Sequence, residues 1–378
     1  MPSLLDLPDE ILVEIAQYVL GLDSTGDETD APAIRVFSHD FVAGVPDWVK
    51  RNIIQQHAKS KADPPAMILA SRRLNTIATT LLLSKAVFCV DDTPDLRLLL
   101  SKLGPERRHL LKNVSVTLHS NEDYEHDPQD EDTAQRDIDE ATGLLGQLPS
   151  KLRCLFLEMP YHPHPPFSYQ EGTDVRLRET MNKFSELQEL QLMLETHYVH
   201  IDMFTNMTAN VYTIIHEWVE PPAPKFPLLT RLHLQGCLTP MIAPRGLATA
   251  LSESQLPCLE ALVLDGILHA SDDENSLVFE AAALEGMHPL REFCWIPYDF
   301  DSSPRKTLGV PHSPPTKQHL EQLKMRHGET LRVLNIDFGE RESCNGPWDL
   351  DIDQEYLDKL QSAMPHLREV SLEMGSED

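Results

Sequence analysis

The chain reads as an α/β protein: an N-terminal helical module, then an array of strand-and-helix units that forms a parallel sheet with outer helices. Three observations carry this reading. A phrase of the form L-x-x-L-x-L, with some substitutions, returns eight times between residues 111 and 372. Stretches with helical spacing fill the intervals, and several stop at a proline just before the next phrase. Ahead of the array stand two apolar stretches, at about 8–20 and 66–83, separated by a polar insertion.

The phrase occurs as Leu111/Val114/Val116, Leu152/Leu155/Leu157, Leu187/Leu190/Leu192 and Leu229/Leu232/Leu234. It continues as Leu259/Leu262/Leu264, Leu290/Phe293/Trp295, Leu331/Leu334/Ile336 and Leu367/Val370/Leu372. The last two positions of each triplet lie two residues apart, so they share one face of a short strand. Helical spacing is read at 174–184, 208–219, 276–287, 316–327 and 353–364. Pro149, Pro227, Pro257, Pro289 and Pro365 each precede a strand. Proline has no N–H to give a helix and pushes the preceding residue out of helical space, which makes it a physical stop.

A strand followed by a helix, repeated, implies parallel pairing, because parallel strands need a crossover. A curved solenoid with an open strand face follows. A doubly wound nucleotide-binding sheet would need a glycine-rich phosphate turn, and neither G-x-G-x-x-G nor G-x-x-x-x-G-K-[ST] occurs. The unit resembles the leucine-rich repeat. Leu229, Leu232, Leu234 and Cys237 match its full phrase, although the spacing between first leucines is relaxed, from 30 residues (Leu229 to Leu259) to 42 (Leu187 to Leu229).

The opening stretch places Pro8 at a helix start, where its missing N–H costs nothing, with Asp9 and Glu10 in the favourable first turn. Ile11, Leu12, Ile15 and Val19 form an apolar stripe. Leu7, Pro8, Glu10, Ile11, Leu12 and Ile15 match L-P-x-E-[IL]-[LV]-x-x-I, and the segment resembles the first helix of the F-box. Ala70, Ser71, Arg72, Arg73 and Leu74 supply the phrase of the second F-box helix, flanked by Ile68, Leu69, Ile77 and Leu81. A short strand at 85–90 leads into the array. Residues 22–65 separate the two motifs, a longer connection than the family usually has. The organisation expected is an F-box-like module over 1–84 with an insertion at about 22–65, then a leucine-rich-repeat-like solenoid over 85–378 with an acidic loop at about 121–140.

The resemblance implies a non-catalytic substrate receptor of an SCF-type cullin–RING ubiquitin ligase. Leu7, Pro8, Ile11, Leu12, Ile15, Leu69, Ser71, Arg72 and Leu74 would dock on the adaptor, which links the receptor to a cullin. The array would hold a protein substrate. Side chains alternate across a strand, so the residues between the paired leucines are expected to face outward: Phe156, Gln191, His233, Val263, Cys294, Asn335 and Ser371, beside a row that includes Cys154, Glu189 and Arg231. Phe156, Arg231 and His233 are the candidate substrate anchors, since aromatic and arginine side chains most often anchor interfaces. Two other classes stay open: a leucine-rich-repeat scaffold acting outside ubiquitylation, told apart by adaptor binding without cullin recruitment, and an enzyme with a dispersed site, which would need titratable groups converging in a pocket.

Composition excludes several functions. With 32 basic and 60 acidic residues the net charge is −28, which repels phosphate backbones and anionic lipids, so neither nucleic acid nor membrane is expected as a partner. No basic residue precedes the first apolar stretch and acids interrupt it, so it is not a secretory signal. Six cysteines without a C-x-x-C pair fit neither a disulfide framework nor a zinc site, which points to the cytoplasm or nucleus. His162/His164 and His197/His200 lack the H-E-x-x-H frame. Asp349, Asp351 and Asp353 resemble the start of a calcium loop, but Gln354 and Leu360 stand where the glycine and the bidentate glutamate belong. No catalytic group, metal or cofactor is expected.

Overall fold

The computed structural model describes residues 7–19, 72–85, 87–90, 92–117, 139–159, 180–194, 226–235, 251–265, 281–296, 316–337, 352 and 354–373. Two helices come first, α1 (Asp9–Val19) and α2 (Arg72–Lys85). Nine strands follow: β1 (Val87–Val90), β2 (Asn113–Thr117), β3 (Cys154–Met159), β4 (Glu189–Leu194), β5 (Arg231–Gln235), β6 (Ala261–Asp265), β7 (Glu292–Ile296), β8 (Val333–Asp337) and β9 (Glu369–Glu373). They form one open parallel sheet in sequence order, from β1 at one edge to β9 at the other. The order never reverses, so these strands make no switch-point crevice of the kind where doubly wound sheets bind ligands.

The register aligns the repeat phrase across the sheet. Leu155 pairs with Leu190, Leu190 with Leu232, Leu232 with Leu262, Leu262 with Phe293, Phe293 with Leu334 and Leu334 with Val370. Leu232, Leu262, Leu264 and Ile336 are fully buried, and Leu234 and Leu334 nearly so. A repeated backbone device holds this register at the start of each strand. The carbonyl of the residue before one strand accepts two N–H bonds from the next unit. Gln188 O takes those of Thr230 and Arg231 at 2.8 and 3.1 Å, and Thr230 O those of Glu260 and Ala261 at 2.8 and 2.9 Å. Lys112, Arg153, Glu260, Arg291 and Arg332 accept in the same way.

The leucine rows bury against helices. Helices α3 (Thr93–Arg108), α4 (Ala281–Gly286), α5 (Lys317–Gln322) and α6 (Gln354–Ser362), with the helical residues 139–145, all give side chains to one continuous core with the leucine face. Of the helical stretches read from the sequence, 208–219 lies outside the described residues. The stretch at 174–184 is described from Thr180, where the helix ends into a turn. The helix α3 has no counterpart in that reading. Asp92 caps it, its carboxylate accepting the Asp95 N–H at 2.6 Å, and Pro94 sits in the first turn. Gly104, at φ 63°, breaks it ahead of Pro105, a conformation open mainly to glycine.

A buried histidine ties one unit to the unit before it. Past α5 the chain widens into a π-helical turn, Leu323–His327. That turn carries His327 inward, fully buried. Its Nδ1 accepts the Leu290 N–H at 3.0 Å, which leaves the proton on Nε2, donated to Leu284 O at 3.0 Å. Burial depresses its pKa to about 4, outweighing the stabilising bond to Leu284.

Two outcomes are expected. Leu262→Ala removes a fully buried side chain and should lower unfolding stability by ~2–5 kcal/mol in chemical denaturation. The unfolded chain takes up the His327 proton near its ordinary pKa of about 6.5, before the folded one does. Stability should therefore be fully retained above about pH 6.5 and fall as the pH drops towards 4, by ~3 kcal/mol from this group. Stability curves of wild type and His327→Gln should converge in that window; parallel curves would show that His327 is not the titrating group.

Candidate functional site

Two surfaces drew the candidate residues, the N-terminal helix pair and the sheet face opposite the leucines. The helix pair is built on small residues. Ala16 of α1 and Ala78 of α2 are fully buried with Leu81, and Val13 and Ile77 pack around them. The carbonyl of Pro8 accepts the Leu12 N–H at 3.1 Å, the first bond of α1. Arg73, in the second-helix phrase, donates from Nε to Asp9 Oδ1 at 2.8 Å and clips the start of α1 to α2. Both partners are well exposed, so this pair contributes at most ~1 kcal/mol. The pair adjoins the array, since Leu83 belongs to the main core and its carbonyl accepts the Lys112 N–H at 3.1 Å.

The adaptor candidates divide by burial. Leu12 and Leu74, at 0% and 4% exposure, are core residues of the folded chain and offer no surface. Each lies one turn before a residue of the cluster that joins the helices, Leu12 before Ala16 and Leu74 before Ala78, and so on the same helix face. Pro8 and Arg72 are exposed, Ile11 is 40% exposed, and Leu7 and Ile15 are half-buried. Ile11 and Ile15, four apart in α1, share a second and less buried face, and Leu7 just before the helix adds a half-buried apolar side chain. Leu69 and Ser71 lie outside the described residues.

The sheet face opposite the leucines is not open. Phe156, Gln191, His233, Val263, Cys294 and Asn335 are all between 0% and 3% exposed. Phe156 and His233 therefore present no surface to a partner in this structure, which corrects the expectation of an outward row. Alternation along a strand tells which residues share a face, not whether that face is covered. Arg231 is also mostly enclosed, at 14% side-chain exposure, and is bonded to Glu189, at 3%, on the neighbouring strand. Cys154 is level with Glu189 on the next strand. Burial and the nearby Glu189 carboxylate push its thiol pKa well up, so this cysteine is protonated and inert as a nucleophile. The Gln191 amide has no hydrogen-bond partner at either end among the described residues.

Among the described residues no group of three or more His, Cys, Asp or Glu could hold a metal ion, and Cys89, Cys154, Cys258 and Cys294 are not joined in disulfides with one another. No described helix is long and apolar enough to cross a membrane. The metal and calcium motifs weighed in the sequence, His162/His164, His197/His200 and Asp349/Asp351/Asp353, lie outside the described residues, as does the acidic stretch up to residue 138. No protein-family model and no curated protein matches the chain.

The buried ion pair makes a testable prediction. Arg231→Met leaves the Glu189 carboxylate buried without its cation and should cost ~3–5 kcal/mol of stability. Adding Glu189→Gln should recover much of that loss in a double-mutant cycle read by denaturant midpoints. Additive losses would mean that the two side chains act independently.

Proposed function

We propose that this chain is the substrate-recognition subunit of an SCF-type ubiquitin ligase. The N-terminal helix pair serves as an F-box that docks on the adaptor and, through it, a cullin. The repeat array serves as a leucine-rich-repeat-like solenoid that holds a protein substrate. The observation that carries this reading is the division within α1 and the residues just before it. Leu12 and Ala16 are buried, Ala16 in the cluster that joins the helix pair, while Leu7, Pro8, Ile11 and Ile15 are exposed or half-buried and leave an apolar strip, and Arg72 is exposed. An amphipathic helix with one stripe already packed and a second unspent is suited to a partner groove. The chain supplies no chemistry of its own in this reading, needs no cofactor, and works in the cytoplasm or nucleus, where the ligase acts. Transfer of ubiquitin belongs to its partners.

The sheet architecture supports the receptor half. A parallel sheet in unbroken sequence order grows by adding units, each resting on its neighbour, as a repeat scaffold does. The test is affinity purification of the full chain with identification of adaptor and cullin. Leu7→Ala with Pro8→Ala should abolish adaptor recovery while far-UV circular dichroism and melting stay close to wild type. Leu12→Ala should instead lower the melting temperature, because its side chain is core. A folded Leu7/Pro8 double variant that still recovers the adaptor in full would overturn the assignment. Recovery of adaptor without cullin would place the chain among scaffolds outside ubiquitylation.

A further inference from the structure

The backbone device at the strand starts also places one residue of each unit beside its counterpart in the next. In the last three units these residues are Arg291, Arg332 and Arg368. The Arg332 N–H donates to Arg291 O at 2.7 Å, and the Arg368 N–H to Arg332 O at 2.8 Å. Their α-carbons are thus neighbours at about the 4.8 Å spacing of paired strands, and the row spans about 10 Å. All three side chains are exposed. Arg291 has a carboxylate at hand, Glu260 at 3.2 Å, itself 38% exposed. Arg332 and Arg368 make no ion pair and no side-chain hydrogen bond among the described residues. The acids nearest in sequence are Glu329, exposed in the turn before β8, and Glu369, exposed and one alternation step past Arg368.

Like charges placed side by side on adjacent strands repel; Glu260 offsets this at Arg291, whereas Arg332 and Arg368 stand side by side with no ion pair among the described residues. The chain as a whole has almost twice as many acidic as basic residues, so carboxylates to neutralise the row are abundant in its composition. Unrelieved local conflicts of this kind concentrate at functional sites. Guanidinium is also the cation best suited to the task, because its planar fork takes a carboxylate through two parallel N–H bonds and stays charged at every physiological pH.

We infer that the row Arg291–Arg332–Arg368, at the strand starts of the last three units, is a docking site for an acidic peptide segment of a protein partner. An extended segment rises about 3.3 Å per residue, so two or three acidic side chains within four positions match the row. The acidic character of the chain elsewhere repels the same segment, which confines it to this edge and makes the interaction strongly salt-dependent. The assignment stands on the register of the sheet and is independent of the adaptor reading; a chain that fails to recover the adaptor would still carry it.

The test uses the full chain and a fluorescein-labelled hexaglutamate peptide, followed by fluorescence anisotropy at low ionic strength, with a hexamer of alternating Gly and Ser as control. Wild type should bind hexaglutamate saturably and leave the control free. Arg332→Glu with Arg368→Glu should weaken binding at least tenfold and flatten its salt dependence. Arg332→Gln with Arg368→Gln, which adds no charge, should fall between the two and guards against a misfolded charge-reversed protein. Absence of hexaglutamate binding by wild type, or equal binding by folded variants, would overturn the inference.

Discussion

The structure depends on burial of two apolar side chains per strand, stacked in register across parallel strands. Each pair is too small a core to stand alone. It becomes one because its neighbours on both sides present the same two positions at the same height, and because the described helices and turns between the strands join them in one core. The last strand shows the limit of the principle. Val370 in β9 and Leu367 just before it are half-buried where their counterparts in earlier units are fully enclosed, because β9 lies at an edge of the sheet. The doubly accepting carbonyl at each strand start keeps the stack from slipping, and a slip of one residue would turn every leucine to the other face.

That constraint also decides which polar groups are exposed. The face opposite the leucines contains Glu189, Arg231, Gln191 and His233, residue types suited to binding, yet they are enclosed, and Glu189 and Arg231 satisfy one another. Among the described residues, the exposed groups on which the two proposals rest lie at the margins: the strand starts, with their row of arginines, and the outer stripe of α1. Both margins owe their geometry to the core. Arginines far apart in sequence become neighbours only because Leu290, Leu331 and Leu367 open three successive units. Ile11 faces outward only because Leu12 and Ala16 face in.

The same logic separates residues that hold the fold from residues that act on it. Arg73 lies inside the phrase that resembles an F-box helix but is engaged with Asp9, whereas its neighbour Arg72 is exposed. His327 stands in a stretch, "LKMRH", that looks like a solvated helix end, yet it crosslinks two backbone groups of the preceding unit. Both are polar residues committed to structure, and neither could be told from its neighbours by residue type.

The order of the strands, their parallel pairing and the buried positions were readable in the linear chain, because a period of two within strands and a proline before them are local consequences of backbone sterics. The start of helix α3 carries its own local signal, in Asp92, Pro94 and Asp95, but its two buried side chains, Leu96 and Leu100, fall outside the repeat phrase. The enclosure of Phe156 and His233, the π-helical turn that buries His327, the split of α1 into an inner and an outer stripe, and the meeting of Arg291, Arg332 and Arg368 were decided by tertiary structure alone. Each depends on what lies opposite or beside a residue across dozens of intervening positions, and local spacing carries no record of that neighbour.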